Sequence, residues 1–200
     1  MRRYLSLIAM LFALLSPFAG KAMAAEGKLS KNAIVATVMS NLGFHEFCDR
    51  NGIDLCCANV GDRNVLEMMQ ERGFNLGGEQ SGHTIFLDYA TTGDGQLTAV
   101  RLLRTLSCSN KKLSELAAEI PTYPQVLKNV AIEGGNEVKK AIVCNKELQD
   151  GIEKEKRTMG GRGRILVRPS GTEALIRVMV ESKDGDLSDA VALRLASLIE

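Results

Sequence analysis

Two short stretches of this sequence carry side chains that packing alone does not call for. The first is Gly77-Gly78-Glu79-Gln80-Ser81-Gly82-His83. Its glycines let a backbone approach closely, while Glu79, Ser81 and His83 set a carboxylate, a hydroxyl and an imidazole within five positions. Such a mixture of donors and acceptors suits a ligand bearing many hydroxyls. The plainer alternative is a glycine-rich turn with an internally satisfied histidine. The second stretch is Arg168-Pro169-Ser170-Gly171-Thr172-Glu173. An arginine fork, two hydroxyls and a backbone opened by Gly171 can cradle a phosphate. It is not a Walker loop, having neither GxxxxGK nor a lysine. Glu173 would repel a phosphate if it pointed inward, so it is expected to face away or to pair with an arginine. The alternative here is a surface turn.

Weaker signals flank these two. Thr91-Thr92-Gly93-Asp94-Gly95 reads first as a helix N-terminus capped by Thr or Asp. Val60-Gly61-Asp62-Arg63 reads as a turn with a solvated Asp–Arg pair, although it could bring Arg63 to an anion. Gly160-Gly161-Arg162-Gly163-Arg164 reads as the approach to a hairpin, and His45 as a helix-surface residue.

The elements that must position these loops follow from hydrophobic period. Residues 33–39 form a continuous, β-branched apolar run, as in a strand buried on both faces of a parallel sheet. A helix with Phe44 and Phe47 follows a polar turn, and residues 53–60 form a second strand. Residues 64–72 are helical, with Val65, Met68 and Met69 on one face and Gly73 as the stop. Residues 84–89 form another strand. A helix opening at Gly93-Asp94-Gly95 is expected to carry Leu97, Val100 and Leu103 inward. This alternation predicts an α/β layer.

Pro121-Thr122-Tyr123-Pro124 interrupts the pattern and marks a domain boundary. Beyond it, residues 125–132, 164–168 and 175–180 read as strands and 136–157 as largely helical. A final helix begins near Asp186 or Ser188 and buries Leu187, Val191, Leu195 and Leu198. The second part is therefore a small α+β unit. Alternation along its last strand puts Arg177 on the face of Leu175 and Met179. A charge on that face calls for a phosphate or a Glu partner.

Composition narrows the classes. The 200 residues are 45% hydrophobic and 24% charged, enough apolar area for one or two folded domains rather than a disordered tail. A net charge of +1 gives no support for a polyanion partner, and with no Trp and 4% aromatics no stacking platform for nucleic acid is expected. Cys48, Cys56, Cys57, Cys108 and Cys144, with no CxxC among them, fit reduced thiols in a cytoplasmic protein better than a disulfide framework or zinc site. The N-terminus points the other way. Met1-Arg2-Arg3, an apolar run from Leu5 to Leu15 and Ala22-Met23-Ala24 have the form of a secretory signal over residues 1–24. The competing reading is an apolar helix separated from its normal upstream sequence. The expectation is a cytoplasmic protein without membrane contact, with export as the alternative if that leader functions.

Taken together, the loops resemble those of the α-D-phosphohexomutase superfamily, and most closely the bacterial phosphoglucosamine mutases. The match rests on Gly78-Glu79-Gln80-Ser81-Gly82-His83 and Arg168-Pro169-Ser170-Gly171-Thr172-Glu173, in the right order. Thr37-Val38-Met39-Ser40-Asn41, Val60-Gly61-Asp62-Arg63 and Thr91-Thr92-Gly93-Asp94-Gly95 add to it. The resemblance runs from about Phe18 to the end. It implies a leader of uncertain status over residues 1–17, an α/β sugar-binding domain over 18–122 (the family's third) and an α+β phosphate-binding domain over 125–200 (its fourth). It implies further that Glu79, Ser81 and His83 meet the sugar, and that Arg168, Ser170, Gly171, Thr172 and Arg177 grip its phosphate.

The activity so implied is interconversion of glucosamine 6-phosphate and glucosamine 1-phosphate through a bisphosphate, with a phosphoserine as donor and Mg2+ as Lewis acid. Gln80 and the Arg-Pro-Ser-Gly-Thr-Glu form point to the amino-sugar branch. A phosphomannomutase/phosphoglucomutase half and a non-catalytic sugar-phosphate-binding module are the alternatives. The family's serine loop and its metal loop do not occur in this sequence, and Ala174 stands where a proline is usual. A four-domain enzyme at about 100 residues per domain needs about 400. The chain therefore reads as a C-terminal half, inactive alone, whose partner would be a separate N-terminal half or a second copy of itself.

Overall fold

The computed structural model describes residues 15–199. The apolar leader expected over 1–17 lies outside them except for its last three residues. Those open helix α1, Leu15–Ala25, whose Phe18, Ala19 and Met23 are buried.

The chain divides into two compact units at Pro121 and Thr122. The first is built around β1, Ala33–Thr37, all five residues of which are buried. It pairs in parallel with β2, Asp54–Ala58, on one side and with β3, Leu76–Gly78, on the other; β4, Thr84–Phe86, closes the far edge antiparallel, giving the order β2-β1-β3-β4. Because successive strand residues face opposite ways, Ile34 and Ala36 join Phe18, Phe44, Phe47 and Leu76 on one face. Ala33 and Val35 join Val65, Met69 and Ile85 on the other. Helix α2, Leu42–Arg50, covers the first face with α1, and Phe18 meets Phe47 edge-on at 5.9 Å between centroids. Helix α3, Asp62–Arg72, covers the second.

Strand β3 is absent from the hydrophobic pattern, which assigns Gly77 and Gly78 to a loop. Its residues are chosen for thinness. A Cβ on Gly77 would lie 2.5 Å from the Met69 sulfur and 2.8 Å from Val65, so only glycine lets α3 pack on the strand. The strand expected over 84–89 stops at Phe86.

Helix α4, Gly95–Ser109, starts where expected, with the Asp94 side chain accepting from the amides of Gln96 and Leu97 at 2.9 Å each. Its inward face differs from the expectation. Leu97 packs on the core, but Val100 and Leu103 are 63% and 65% exposed, and Thr98 is buried in their stead. A short helix α5, Leu113–Ala117, ends the unit.

In the second unit, β5, Gln125–Ala131, and β6, Gly163–Pro169, flank β7, Leu175–Ser182, all antiparallel. The helical stretch expected over 136–157 is two helices, α6, Asn136–Val143, and α7, Lys146–Met159. Asn145 separates them by capping α7, accepting from the Glu147 amide at 2.8 Å. With α8, Gly185–Ser197, they bury one sheet face, where Val130, Ile176, Val178 and Val180 meet Leu148, Ile152, Val191 and Leu195. Each fully buried aliphatic side chain there contributes about 1.5–3 kcal/mol. Leu198, expected on the buried face, is 43% exposed because the helix has already ended at Ser197. The two units are thus an α/β layer and a small α+β sandwich, the class read from the strand–helix alternation.

Candidate functional site

In the first unit the chain leaves β1 to one side for β2 and to the other for β3. The carboxyl ends of β1 and β3 lie side by side, the end at which open α/β sheets place their ligands. The loop after β3 stands there. It is a tight turn: the Glu79 amide donates to the His83 carbonyl at 2.9 Å and the Gly82 amide to the Glu79 carbonyl at 3.0 Å. Gly82 has φ +108°, a conformation that side-chain-bearing residues rarely adopt.

The turn brings the three expected sugar residues together. Ser81 Oγ donates to Glu79 Oε1, and His83 Nδ1 lies 3.0 Å from Ser81 Oγ and 3.2 Å from the same carboxylate oxygen. Since the serine proton is already spent on Glu79, Nδ1 carries the ring proton and donates to both oxygens. His83 Nε2 and the second Glu79 oxygen take no part in these bonds. Glu79 is mostly buried (side chain 12% exposed) while His83 is 54% exposed, so the carboxylate anchors and the imidazole faces outward. Gly93 lies against His83, where a Cβ would meet the imidazole Cδ2 at 3.2 Å. The Thr91–Asp94 turn therefore borders this loop. Arg63 pairs with Glu67 one turn along α3, at 2.8 Å, and not with Asp62.

In the second unit, the expected phosphate residues sit on and around the turn from β6 to β7. Arg168 and Arg177 are direct cross-strand partners on the face opposite the buried valines. Like charges so placed destabilise a sheet. Arg177 has one carboxylate partner, Glu173, as required if that carboxylate is not to oppose a phosphate. The Nε atoms of both arginines are buried without an acceptor. Burial, and after it the charge of Arg177, hold the Arg168 guanidinium below the usual arginine value. Ser170 is 3% exposed and its hydroxyl accepts from the Glu173 amide at 3.2 Å, so it shapes the turn, while Gly171 and Thr172 are exposed at its tip.

One residue was not visible in the sequence. Lys139, on a polar helix beside the exposed Lys140, is 3% exposed and reaches the back of this turn. Its Nζ donates to the carbonyls of Ser170 at 2.7 Å and Glu173 at 2.8 Å. A surface lysine and a buried brace have the same sequence signature on an amphipathic helix.

Among the described residues no group of three or more His, Cys, Asp or Glu side chains could hold a metal ion. Asp94 spends a carboxylate oxygen capping α4. A cavity of about 320 Å³ beside Phe18, Lys21, Cys108 and Leu116 in the first unit is lined by none of the candidate residues. All five cysteines are free thiols, and no helix among the described residues is long and apolar enough to cross a membrane.

Comparison with known proteins places this architecture. Residues 15–123 match the family domain described as phosphoglucomutase/phosphomannomutase, alpha/beta/alpha domain III, and residues 127–198 match the C-terminal domain of the same family. The chain belongs to the phosphoglucomutase/phosphomannomutase family. Within it, the similarity extends to proteins named phosphoglucosamine mutase. One from Thermoanaerobacter sp. (strain X514) is 53% identical over 175 residues, 88% of this chain and 39% of the relative. One from Streptococcus suis is 55% identical over 163 residues, 82% of this chain and 36% of the relative. The chain thus spans about two fifths of the length of the curated relatives it matches. Among solved structures, an Aspergillus fumigatus N-acetylphosphoglucosamine mutase in complex with GlcNAc-6P and magnesium superposes with a TM-score of 0.73. It is 18% identical, covering 96% of this chain and 46% of that one, a likeness of fold.

Proposed function

We propose that this chain recognises hexosamine phosphates: the Glu79–Ser81–His83 turn of the first unit suits sugar hydroxyls, and the Arg168–Thr172 turn of the second unit suits a phosphate. The observation that carries the reading is the Arg168–Arg177 pair, two cross-strand arginines with buried Nε donors, of which Arg177 alone pairs with a carboxylate, Glu173, among the described residues. An oxyanion bound by the two guanidiniums would relieve the repulsion. Ser170 acts through the shape of the turn, and Gly171 and Thr172 offer their amides and a hydroxyl at its tip. The similarity to phosphoglucosamine mutases supports glucosamine 6-phosphate and glucosamine 1-phosphate as the pair of ligands.

The reaction of the whole family enzyme, an isomerisation by phosphoryl transfer, starts from a donor-serine loop whose motif does not occur in these 200 residues. We therefore read these residues as the sugar- and phosphate-binding part of such an enzyme, with no step assigned to a metal here. Its free thiols support a cytoplasmic setting. The test is to incubate the purified chain with glucosamine 6-phosphate. Saturable binding without formation of glucosamine 1-phosphate is expected. Turnover by the chain alone would overturn the reading of a binding part, and absence of binding would overturn the assignment of the ligand.

A further inference from the structure

We propose that Lys139 is the positioning residue of the β6–β7 turn: from behind, it fixes the peptide planes so that the Gly171 and Ala174 amides face the anion. This rests on reading the turn as a phosphate site.

Two hydrogen bonds from Lys139 set the geometry, joined at the Glu173 carbonyl by the Leu175 amide, which donates to it at 2.9 Å. The Lys139 ammonium draws the Ser170 and Glu173 carbonyls to itself at 2.7 and 2.8 Å. In a planar trans peptide the carbonyl of one residue and the N–H of the next point in opposite directions. With no cis bonds among the described residues, the Gly171 and Ala174 amides therefore point away from Lys139, and both residues are exposed. Other bonds hold the rest of the turn. The Ser170 amide donates to the Leu175 carbonyl, the Glu173 amide to Ser170 Oγ, and the Ala174 carbonyl accepts from the Ile132 amide. Among the described residues, Lys139 alone holds the Ser170 carbonyl from outside the two strands.

Charge reinforces geometry. Lys139 is buried and forms no ion pair with a described residue; its two acceptors are neutral carbonyls. Burying an ammonium so is unfavourable unless something offsets it. Each peptide it touches is a dipole whose negative end faces the ammonium and whose positive end faces outward. An anion at the tip thus completes a line of charge, dipole and counter-charge. The lysine acts through the backbone and touches no ligand.

The experiment uses the full chain, isotope-labelled, with inorganic phosphate and then glucosamine 6-phosphate as probes and unphosphorylated glucosamine as control. Phosphate is expected to move the Gly171 and Ala174 amide resonances most within the turn. Lys139→Met, which keeps the aliphatic stem and loses the donors, should displace those two resonances in the ligand-free chain. It should also weaken both phosphate probes about tenfold while leaving glucosamine binding unchanged, a split that general loosening would not produce. Phosphate binding with both amides unmoved, or a folded Lys139→Met chain that binds phosphate as before, would overturn the proposal. Should Lys139→Met not fold, the amide response of the unmodified chain decides. If the unmodified chain binds no phosphate, the reading of the site fails, and the ligand-free amide shifts of Lys139→Met still decide the positioning role.

Discussion

Arg168 and Arg177 face each other across two strands, a placement that a folding chain left to itself would avoid. The sequence already isolates Arg177: alternation with Ile176 and Val178 puts it off the core, and those neighbours are fully buried. What the sequence cannot state is that its cross-strand partner is the arginine of the phosphate motif, because register is fixed by the length of the intervening turn. The apposition has a consequence of opposite sign for stability and for binding. Arg168→Met removes the repulsion, so the ligand-free second unit should gain about 0.2–0.5 kcal/mol, a rise of about 1–4 °C in its melting temperature. The same change removes a charged donor and should weaken phosphate binding about tenfold to a hundredfold. Thermal melts with and without phosphate check both. A destabilised variant that binds phosphate normally would mark Arg168 as structural.

At the scale of elements, helix existence was legible and helix orientation was not always. Leu97, Val100, Leu103 and Leu106 recur every three residues, and each such step turns the helix about 300°. The run therefore winds about half-way round α4 and cannot face one core. The buried face is centred on Thr98 and lies between Leu97 and Leu106, leaving Val100 and Leu103 outside. Thr98 is admitted because its hydroxyl donates to the Asp94 carbonyl at 2.5 Å, so that it buries as a valine would. Strand β3 was illegible for a related reason. Glycine carries no strand preference, and the constraint on Gly77 comes from Met69 and Val65 across the layer.

The α7–α8 contact shows an element held by charge. Arg194 grips Glu155 with two bonds of 2.8 and 2.9 Å, and that hydrogen bonding holds the Glu155 carboxyl below its ordinary value of 4.5 despite burial. A carboxylate with a lowered folded-state pKa adds stability that is present above about pH 4.5. As pH falls the unfolded chain takes up the proton first, and the contribution disappears through the folded-state value. Urea unfolding of the full chain should therefore show the second unit weakening as pH falls below about 4.5. Glu155→Gln should flatten that part of the profile, and an unchanged slope would contradict it.

At the scale of the whole molecule, two units of the phosphoglucomutase/phosphomannomutase family occupy one chain, each with its own core and its own polar turn. The polar residues were legible because they interrupt apolar strands where packing gives them no reason to be. The brace behind one turn was not, since Lys139 is recognisable only by the carbonyls it meets. The central claim is that both turns serve one class of ligand, a hexosamine phosphate. The most direct measurement is a residue-resolved titration of the isotope-labelled chain with glucosamine 6-phosphate. Saturating shifts at Glu79, Ser81 and His83 in the first unit, and at Arg168, Gly171 and Thr172 in the second, are expected. Shifts confined to other surfaces, or none at either turn, would contradict it.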